Sequence, residues 1–125
     1  MDNLRSAIRS SASGPVRETE PGTCVRSYYF APEFIGFSGH FPGYPILPAF
    51  IQMLMVLVMA EEVKGHRLKV LTLEKAKFQM EVFPGKEIIV RYREGIIKGK
   101  TRLEATLTVG ESPAASFLLT FADEE

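Results

Sequence analysis

The stretch AFIQMLMVLVMA, residues 49 to 60, constrains the fold of this chain more than any other feature of its sequence. Pro48 stands where helices often begin, and the residues after it predict a helix from Ala49 to about Val63. This helix is apolar around its whole circumference until its last turn. A helix without a polar face is surrounded by protein, so we expect it in the core. Its apolar run is shorter than the roughly 20 residues that a membrane span needs.

Beyond residue 67 the hydrophobic period changes from helical to two. Apolar and polar residues alternate in four segments, at about 75 to 82, 88 to 93, 102 to 109 and 115 to 121. In the first segment the apolar positions are Ala76, Phe78, Met80 and Val82. Such alternation is typical of antiparallel strands with one face on a core. With a further strand at 24 to 31, it predicts an α+β domain whose curved antiparallel sheet wraps around one long central helix.

The length of 125 residues fits a single domain. Residues 1 to 22 are polar, with Ser, Gly and Pro and a short amphipathic turn around Leu4 and Ile8. We therefore expect a flexible N-terminal arm over 1 to 22 and a folded domain over 23 to 125. Because a sheet of about five strands leaves edges to be covered, we also expect a homodimer, which is able to pair further into a larger homo-oligomer.

Charge and cysteine content exclude several classes of protein. Lys and Arg together number 15, as do Asp and Glu, so no global charge favours nucleic acid or an anionic membrane. Cys24 is the only cysteine, which rules out an intrachain disulfide and a cysteine-based zinc site. The first 22 residues lack the apolar core of a signal peptide. We expect a cytoplasmic protein with no nucleic-acid partner and no membrane span.

The stretch GHFPGYPILPA, residues 39 to 49, resembles the His-Phe-Pro-Gly-x-Pro-x-x-Pro-Gly signature of the β-hydroxyacyl-acyl carrier protein dehydratases of the FabA and FabZ type, which have the hotdog fold. LEKAKFQMEVFPGKEIIV, residues 73 to 90, resembles their strand-turn-strand. The resemblance covers roughly residues 24 to 122. It implies dehydration of (3R)-hydroxyacyl thioesters to trans-2-enoyl thioesters in fatty acid or related acyl-chain synthesis. It also implies a substrate carried on acyl carrier protein or coenzyme A, and neither a cofactor nor a metal.

The resemblance implies roles for three residues. His40 matches the catalytic histidine that moves the C2 proton, Ala49 matches the glycine whose amide binds the thioester carbonyl, and Ile46 matches a residue whose carbonyl orients the histidine ring. Elementary chemistry agrees with these roles. Histidine titrates near neutrality, as a base for this step must, and free amides at a helix N-terminus stabilise a developing enolate. The three prolines of the motif stiffen the loop between them.

One residue departs from the family pattern. Leu54 stands where the family has a Glu or Asp, fourteen positions after the histidine, which protonates the leaving hydroxyl across a dimer interface. General acid catalysis of this kind is worth roughly 10²- to 10⁴-fold, and leucine supplies no proton. Glu33 is a candidate substitute acid if its loop folds back to the site, and Tyr44 is a candidate hydrogen-bond donor; the alternative for each is a structural or solvent-facing residue. Gly43, Tyr44, Gln52 and Leu54 form the expected substrate-binding set.

Two functional hypotheses follow from the sequence. The first is a dehydratase in which another acid, or a water, replaces the missing carboxylate; the second is a catalytically weak or inactive protein that binds acyl thioesters or acyl carriers. Thioester hydrolysis is disfavoured, because hotdog thioesterases usually carry an acidic residue or Asn placed to activate water, and the central helix offers none in such a place. Basic residues in the middle of the chain form either a solvated sheet face or a docking patch for an acidic carrier protein. They are Lys64, Lys69, Lys75, Lys77, Lys86, Arg91 and Arg93.

Overall fold

A computed structural model describes residues 2 to 37 and 45 to 124 of the chain. Within these ranges it has two α-helices, one 3-10 helix at Ile35–Phe37 and six strands. The helices are α1 (Asp2–Ser10) and α2 (Ala49–Lys64). The strands are β1 (Arg17–Glu20), β2 (Thr23–Tyr29), β3 (Leu68–Phe78), β4 (Glu87–Ile97), β5 (Lys100–Val109) and β6 (Ser112–Asp123).

The six strands form one antiparallel sheet in the order β1-β2-β4-β5-β6-β3. The β2–β4 and β4–β5 pairs keep a regular register, with Tyr28 opposite Ile88 and Tyr92 opposite Ala105. Strands β1 and β3 lie at the two edges. The pairing of β3 with β6 is shifted twice, first between Val70 and Thr72 and again between Glu74 and Lys77.

The core lies between α2 and the inward face of the sheet. Helix α2 corresponds to the helix predicted from Ala49, and ten of its sixteen residues are buried. The central strands contribute fully buried side chains to the same core, among them Val90, Leu107 and Leu119. No helix in the described ranges is long and apolar enough to cross a membrane.

The N-terminal segment and the number of helices differ from the prediction. Two helices are described where one was expected, and the segment predicted as a flexible arm contains α1 and β1. Ile8 is fully buried, and Arg5 Nε donates a hydrogen bond to Glu61 on α2 over 3.1 Å. The amphipathic segment thus forms a helix, because its apolar face is buried against the rest of the protein. The wrapping of the sheet around a single central helix, and the division of the chain at residue 22, stay predictions.

Strand β3 departs from the predicted alternation. Ala76, Phe78 and Met80 were expected to face the core but are exposed, while Val82 is buried as expected. The strand also begins earlier, at the fully buried Leu68. Because β3 is an edge strand and α2 ends just before it, the described part of the chain leaves most of the strand uncovered.

Candidate active site

The N-terminal end of α2 is the part of the expected site that the structure describes. The helix begins at Ala49 after Pro48, whose backbone is extended (φ −65°, ψ 155°) and which provides no side-chain cap. The Pro48 carbonyl accepts hydrogen bonds from the amides of Ile51 (3.0 Å) and Gln52 (3.1 Å). The Ala49 amide precedes these donors, so it is one of the N–H groups that a helix leaves without an internal partner. This is the amide to which the resemblance gives the oxyanion role.

Several predicted site residues fall on the loop before this helix. His40, Gly43 and Tyr44 lie outside the described residues, and their roles stay predictions. Ile46 is half-buried, and Glu33 is exposed on the turn between β2 and the 3-10 helix.

Leu54 is buried, with 2% of its surface exposed, in the lining of a cleft of about 310 Å³. Phe50, Met53 and Leu57 share this cleft, because residues three or four apart lie on one face of a helix. The remaining lining residues are Arg5, Arg67, Lys69, Val70 and Glu124. The position where the family has its acid is therefore apolar and lines an open groove.

The buried carboxylate of α2 lies at the other end of the helix. Glu61 follows Leu54 by seven residues, about 10 Å along the axis. Its Oε1 accepts hydrogen bonds from Arg5 and Arg9, both over 3.1 Å, and its Oε2 accepts one from the Leu68 amide over 2.9 Å. Both oxygens thus hold α1 and the start of β3 against α2. Glu61 is too distant and too fully bonded to replace the missing acid.

A second polar cluster joins α2 to β2. The Arg26 guanidinium donates to the Glu62 carboxylate and to the Tyr28 hydroxyl, and the Tyr28 O–H donates to the Met55 carbonyl over 2.9 Å. Burial raises the pKa of Tyr28 to about 12, against the opposing effect of Arg26. Burial also disfavours the ionised Glu62, but hydrogen bonds from the Val16 amide and Arg26 hold its pKa below its ordinary value. The sequence patterns indicated neither this cluster nor the one around Glu61. For the Glu61 cluster, the only available signal was that Arg5 and Arg9 lie one helical turn apart.

Gln52 is buried beside the loop that enters α2. Its Nε2 donates a hydrogen bond to the Leu47 carbonyl over 3.1 Å, and the Leu47 amide donates to the Val82 carbonyl over 2.8 Å. Its Oε1 is buried and has no hydrogen-bond partner among residues 2 to 37 and 45 to 124. The sequence placed Gln52 in the substrate-binding set. It gave no sign of the contact with Leu47, because the acceptor is the main-chain carbonyl of Leu47.

The basic residues of the predicted patch lie in different surroundings. Lys64 pairs with Glu94 over 3.3 Å, and Arg93 pairs with Glu104 across the β4–β5 ladder. Lys69, in contrast, lines the cleft that contains Leu54. Within residues 2 to 37 and 45 to 124, no group of three or more His, Cys, Asp and Glu side chains is placed to hold a metal ion.

A family model described as ApeI dehydratase, of the ApeI-like family, matches residues 16 to 116, from just before β1 into β6. The chain belongs to the ApeI-like dehydratase family. A relative of this ApeI-like chain is the 3-hydroxyacyl-[acyl-carrier-protein] dehydratase FabZ of Levilactobacillus brevis, 32% identical over 119 residues that cover 85% of this chain and 78% of the relative. The resemblance to hotdog-fold dehydratases that rested on the two motifs is thereby confirmed.

Solved structures show the same fold. The dehydratase heterocomplex ApeI:P from Xenorhabdus doucetiae matches with a TM-score of 0.72 at 20% identity, covering 89% of this chain and 96% of the matched chain. A hypothetical thioesterase with coenzyme A from Streptococcus pneumoniae matches with a TM-score of 0.66 at 8% identity, covering 100% of this chain and 98% of that one. One fold hosts several reactions, so the reaction of this ApeI-like chain has to be argued from its own residues.

Proposed function

We propose that this chain is a cytoplasmic enzyme that dehydrates (3R)-hydroxyacyl thioesters to trans-2-enoyl thioesters, in fatty acid or related acyl-chain synthesis. The observation that carries the proposal is the family match over residues 16 to 116, together with a motif that puts His40 nine residues before the start of α2. The name of the L. brevis relative supports acyl carrier protein as the carrier. Coenzyme A is the second carrier, supported by its presence in the S. pneumoniae structure.

The proposed chemistry begins at C2 of the substrate. The His40 ring takes the C2 proton while negative charge develops on the thioester oxygen, and the Ala49 amide donates a hydrogen bond to that oxygen. The Ile46 carbonyl accepts a hydrogen bond from the other ring nitrogen and so fixes the orientation of the ring. The C3–O bond then breaks, and the hydroxyl leaves as water once it receives a proton.

A second subunit completes the site in this proposal. Ala49 and Phe50 are exposed, and the cleft at Leu54 is open. The edge strand β3 also exposes Leu71, Leu73 and Phe78. Covering apolar surface contributes about 25 cal/mol per Å², and it would exclude water from the Ala49 amide, which strengthens the hydrogen bond to the oxyanion. These features support a homodimer.

The proton for the leaving hydroxyl has three proposed sources. Glu33 and a bound water are two of them. The third is a different hotdog chain as partner, since the X. doucetiae dehydratase is a heterocomplex. A partner with Glu or Asp at the position aligned with Leu54 would present its carboxyl to His40 of this chain, because the family acid acts across the interface.

A binding protein is the alternative function, and the surroundings of Leu54 favour it. The cleft is lined by Phe50, Met53, Leu54 and Leu57 and has Lys69 at its margin. This combination suits an acyl chain inside and an acidic carrier outside. Such a protein would hold acyl thioesters without dehydrating them.

Restoring the acid tests the proposal. The Leu54→Glu variant is expected to dehydrate a 3-hydroxyacyl carrier-protein thioester about 10²- to 10⁴-fold faster than the unmodified chain. Burial at position 54 disfavours the ionised carboxyl and so favours the protonated acid, whereas the basic residues that line the cleft oppose this effect. The measurement is the rate of interconversion of the 3-hydroxyacyl and 2-enoyl thioesters, with free thiol followed separately to detect hydrolysis.

Two controls make the result specific. Leu54→Gln adds a polar group of the same length without an acid, so it should give no gain. His40→Ala combined with Leu54→Glu should remove the gain. If the unmodified chain, Leu54→Glu and Leu54→Gln all bind the carrier thioester but none of them forms the 2-enoyl product, the dehydratase proposal is wrong and the binding function stands.

A further inference from the structure

Gln52 is an uncharged polar side chain that α2 buries within its otherwise apolar first half. Only 3% of its surface is exposed, and its buried helix neighbours Ile51, Leu54 and Met55 are apolar. A side-chain amide brings two donor hydrogens and a carbonyl acceptor into the core, and each needs a partner. An apolar residue would fill the same space without that requirement, so Gln52 calls for an explanation beyond packing.

The donor half of the amide holds the loop that leads into the helix. Nε2 donates to the Leu47 carbonyl over 3.1 Å, and the Leu47 amide is held by the Val82 carbonyl over 2.8 Å. Leu47 is therefore fixed at both of its main-chain polar groups, and its side chain is buried. It lies directly after Ile46 and two residues before Ala49, between the two main-chain groups that the proposed reaction uses.

The acceptor half of the amide, Oε1, has no hydrogen-bond partner in the part of the chain that the structure describes. Nε2 has to face the Leu47 carbonyl, since only the nitrogen donates, and this fixes Oε1 on the other side. A buried acceptor without a partner lowers stability. Such atoms in native proteins require a specific explanation, and a functional role is one. The Gln52 side chain therefore fixes the position of the loop although its buried acceptor lowers the stability of the core.

We propose that Gln52 is a positioning residue of the acyl-thioester site, which holds the Leu47 peptide so that the Ile46 carbonyl and the Ala49 amide keep the spacing that the reaction needs. The inference rests on the proposed function. Gln52 acts through the loop: its amide moves no proton in the reaction, and the substrate contacts belong to the neighbouring main-chain groups.

Gln52→Met keeps the length of the side chain and removes its hydrogen bonds. In the Leu54→Glu background, we expect kcat to fall about 10²-fold with KM changed less than about twofold, since a misplacement near 1 Å costs that much rate. Hydrogen exchange of the Leu47 amide should accelerate, while that of the Leu57 amide stays as it was. Met59→Ala, which also disturbs the buried face of α2, is the matched control and should leave the exchange of the Leu47 amide unchanged.

Gln52→Glu gives a readout that a packing role does not produce. A neutral carboxyl can donate to the Leu47 carbonyl, whereas an ionised one repels it. The kcat of this variant relative to the parent should therefore rise as the pH falls, and the exchange of its Leu47 amide should slow relative to that of the parent at the same pH. Faster exchange with unchanged kcat would make Gln52 purely structural and overturn the proposal, as would unchanged exchange in Gln52→Met. Absence of turnover in the parent would defeat the proposed function instead, while the exchange data would still test the contact with Leu47.

Discussion

The two ends of α2 differ in how completely their polar side chains are bonded. At the C-terminal end, both oxygens of Glu61 accept hydrogen bonds and Glu62 pairs with Arg26. At the N-terminal end, Gln52 has an acceptor without a partner among the described residues, and Leu54 stands where the resemblance puts the family's acid. The polar groups of the C-terminal end hold α1, β2 and β3 in place, whereas the N-terminal end has the main-chain groups to which we propose that the substrate binds.

Helix electrostatics sharpens this contrast. A carboxylate near a helix C-terminus is repelled by the negative end of the helix dipole. Glu61 and Glu62 are stable there because they form ion pairs with Arg5, Arg9 and Arg26. The first turn of α2 has no acidic residue. Its positive end therefore has no acidic side chain to neutralise it, which agrees with the oxyanion role proposed for the Ala49 amide.

Removing the buried carboxylate should lower the free energy of unfolding more than any change at Glu62. It tests the structural role of the C-terminal end of α2. Glu61→Ala leaves Arg5 buried without its partner and the Leu68 amide without an acceptor. Breaking a buried ion pair in this way costs about 3 to 5 kcal/mol. Urea unfolding measures the loss as a lower free energy of unfolding. Glu104→Ala, which breaks an exposed pair with Arg93, is the control and should leave the unfolding midpoint almost unchanged.

A loss below about 1 kcal/mol for Glu61→Ala, in the range of an exposed pair, would contradict the structural role of the C-terminal end. It would mean that α1 adds little to the stability of the fold.

Glu62→Gln should have a smaller, pH-dependent effect. The folded protein holds the pKa of Glu62 below its ordinary value, so the ionised form stabilises the fold above the unfolded pKa of about 4.3. This contribution disappears as the pH falls through the lower pKa of the folded state. Because Glu62 is partly exposed, solvent screening limits the loss at pH 7 to about 0.5 to 1 kcal/mol.

The measurement is the difference in unfolding free energy between the unmodified chain and Glu62→Gln at pH 7 and near pH 3. A difference that persists at the lower pH would show that packing, and not the charge of Glu62, links α2 to β2.

Sequence patterns predicted α2 and the strands of the sheet's centre, because period and turn residues report directly on local structure. They missed the packing of α1, whose signal was only Leu4 and Ile8, and they put Phe78 in the core because alternation does not reveal which strand lies at an edge. The motif predicted the helix start of the candidate site. The contact between Gln52 and Leu47 was beyond sequence reasoning, since the acceptor is a main-chain carbonyl that any residue carries.

Deuterium incorporation at C2 of a 3-hydroxyacyl carrier-protein thioester in D₂O tests most directly the claim that the N-terminal end of α2 is the reacting end. In the proposed mechanism, His40 and the Ala49 amide suffice to remove and return the C2 proton, whereas dehydration also needs an acid, which Leu54 does not provide. We expect the unmodified chain to incorporate deuterium faster than it forms the 2-enoyl product, and we expect His40→Ala to stop both processes. Incorporation no faster than in His40→Ala would contradict it.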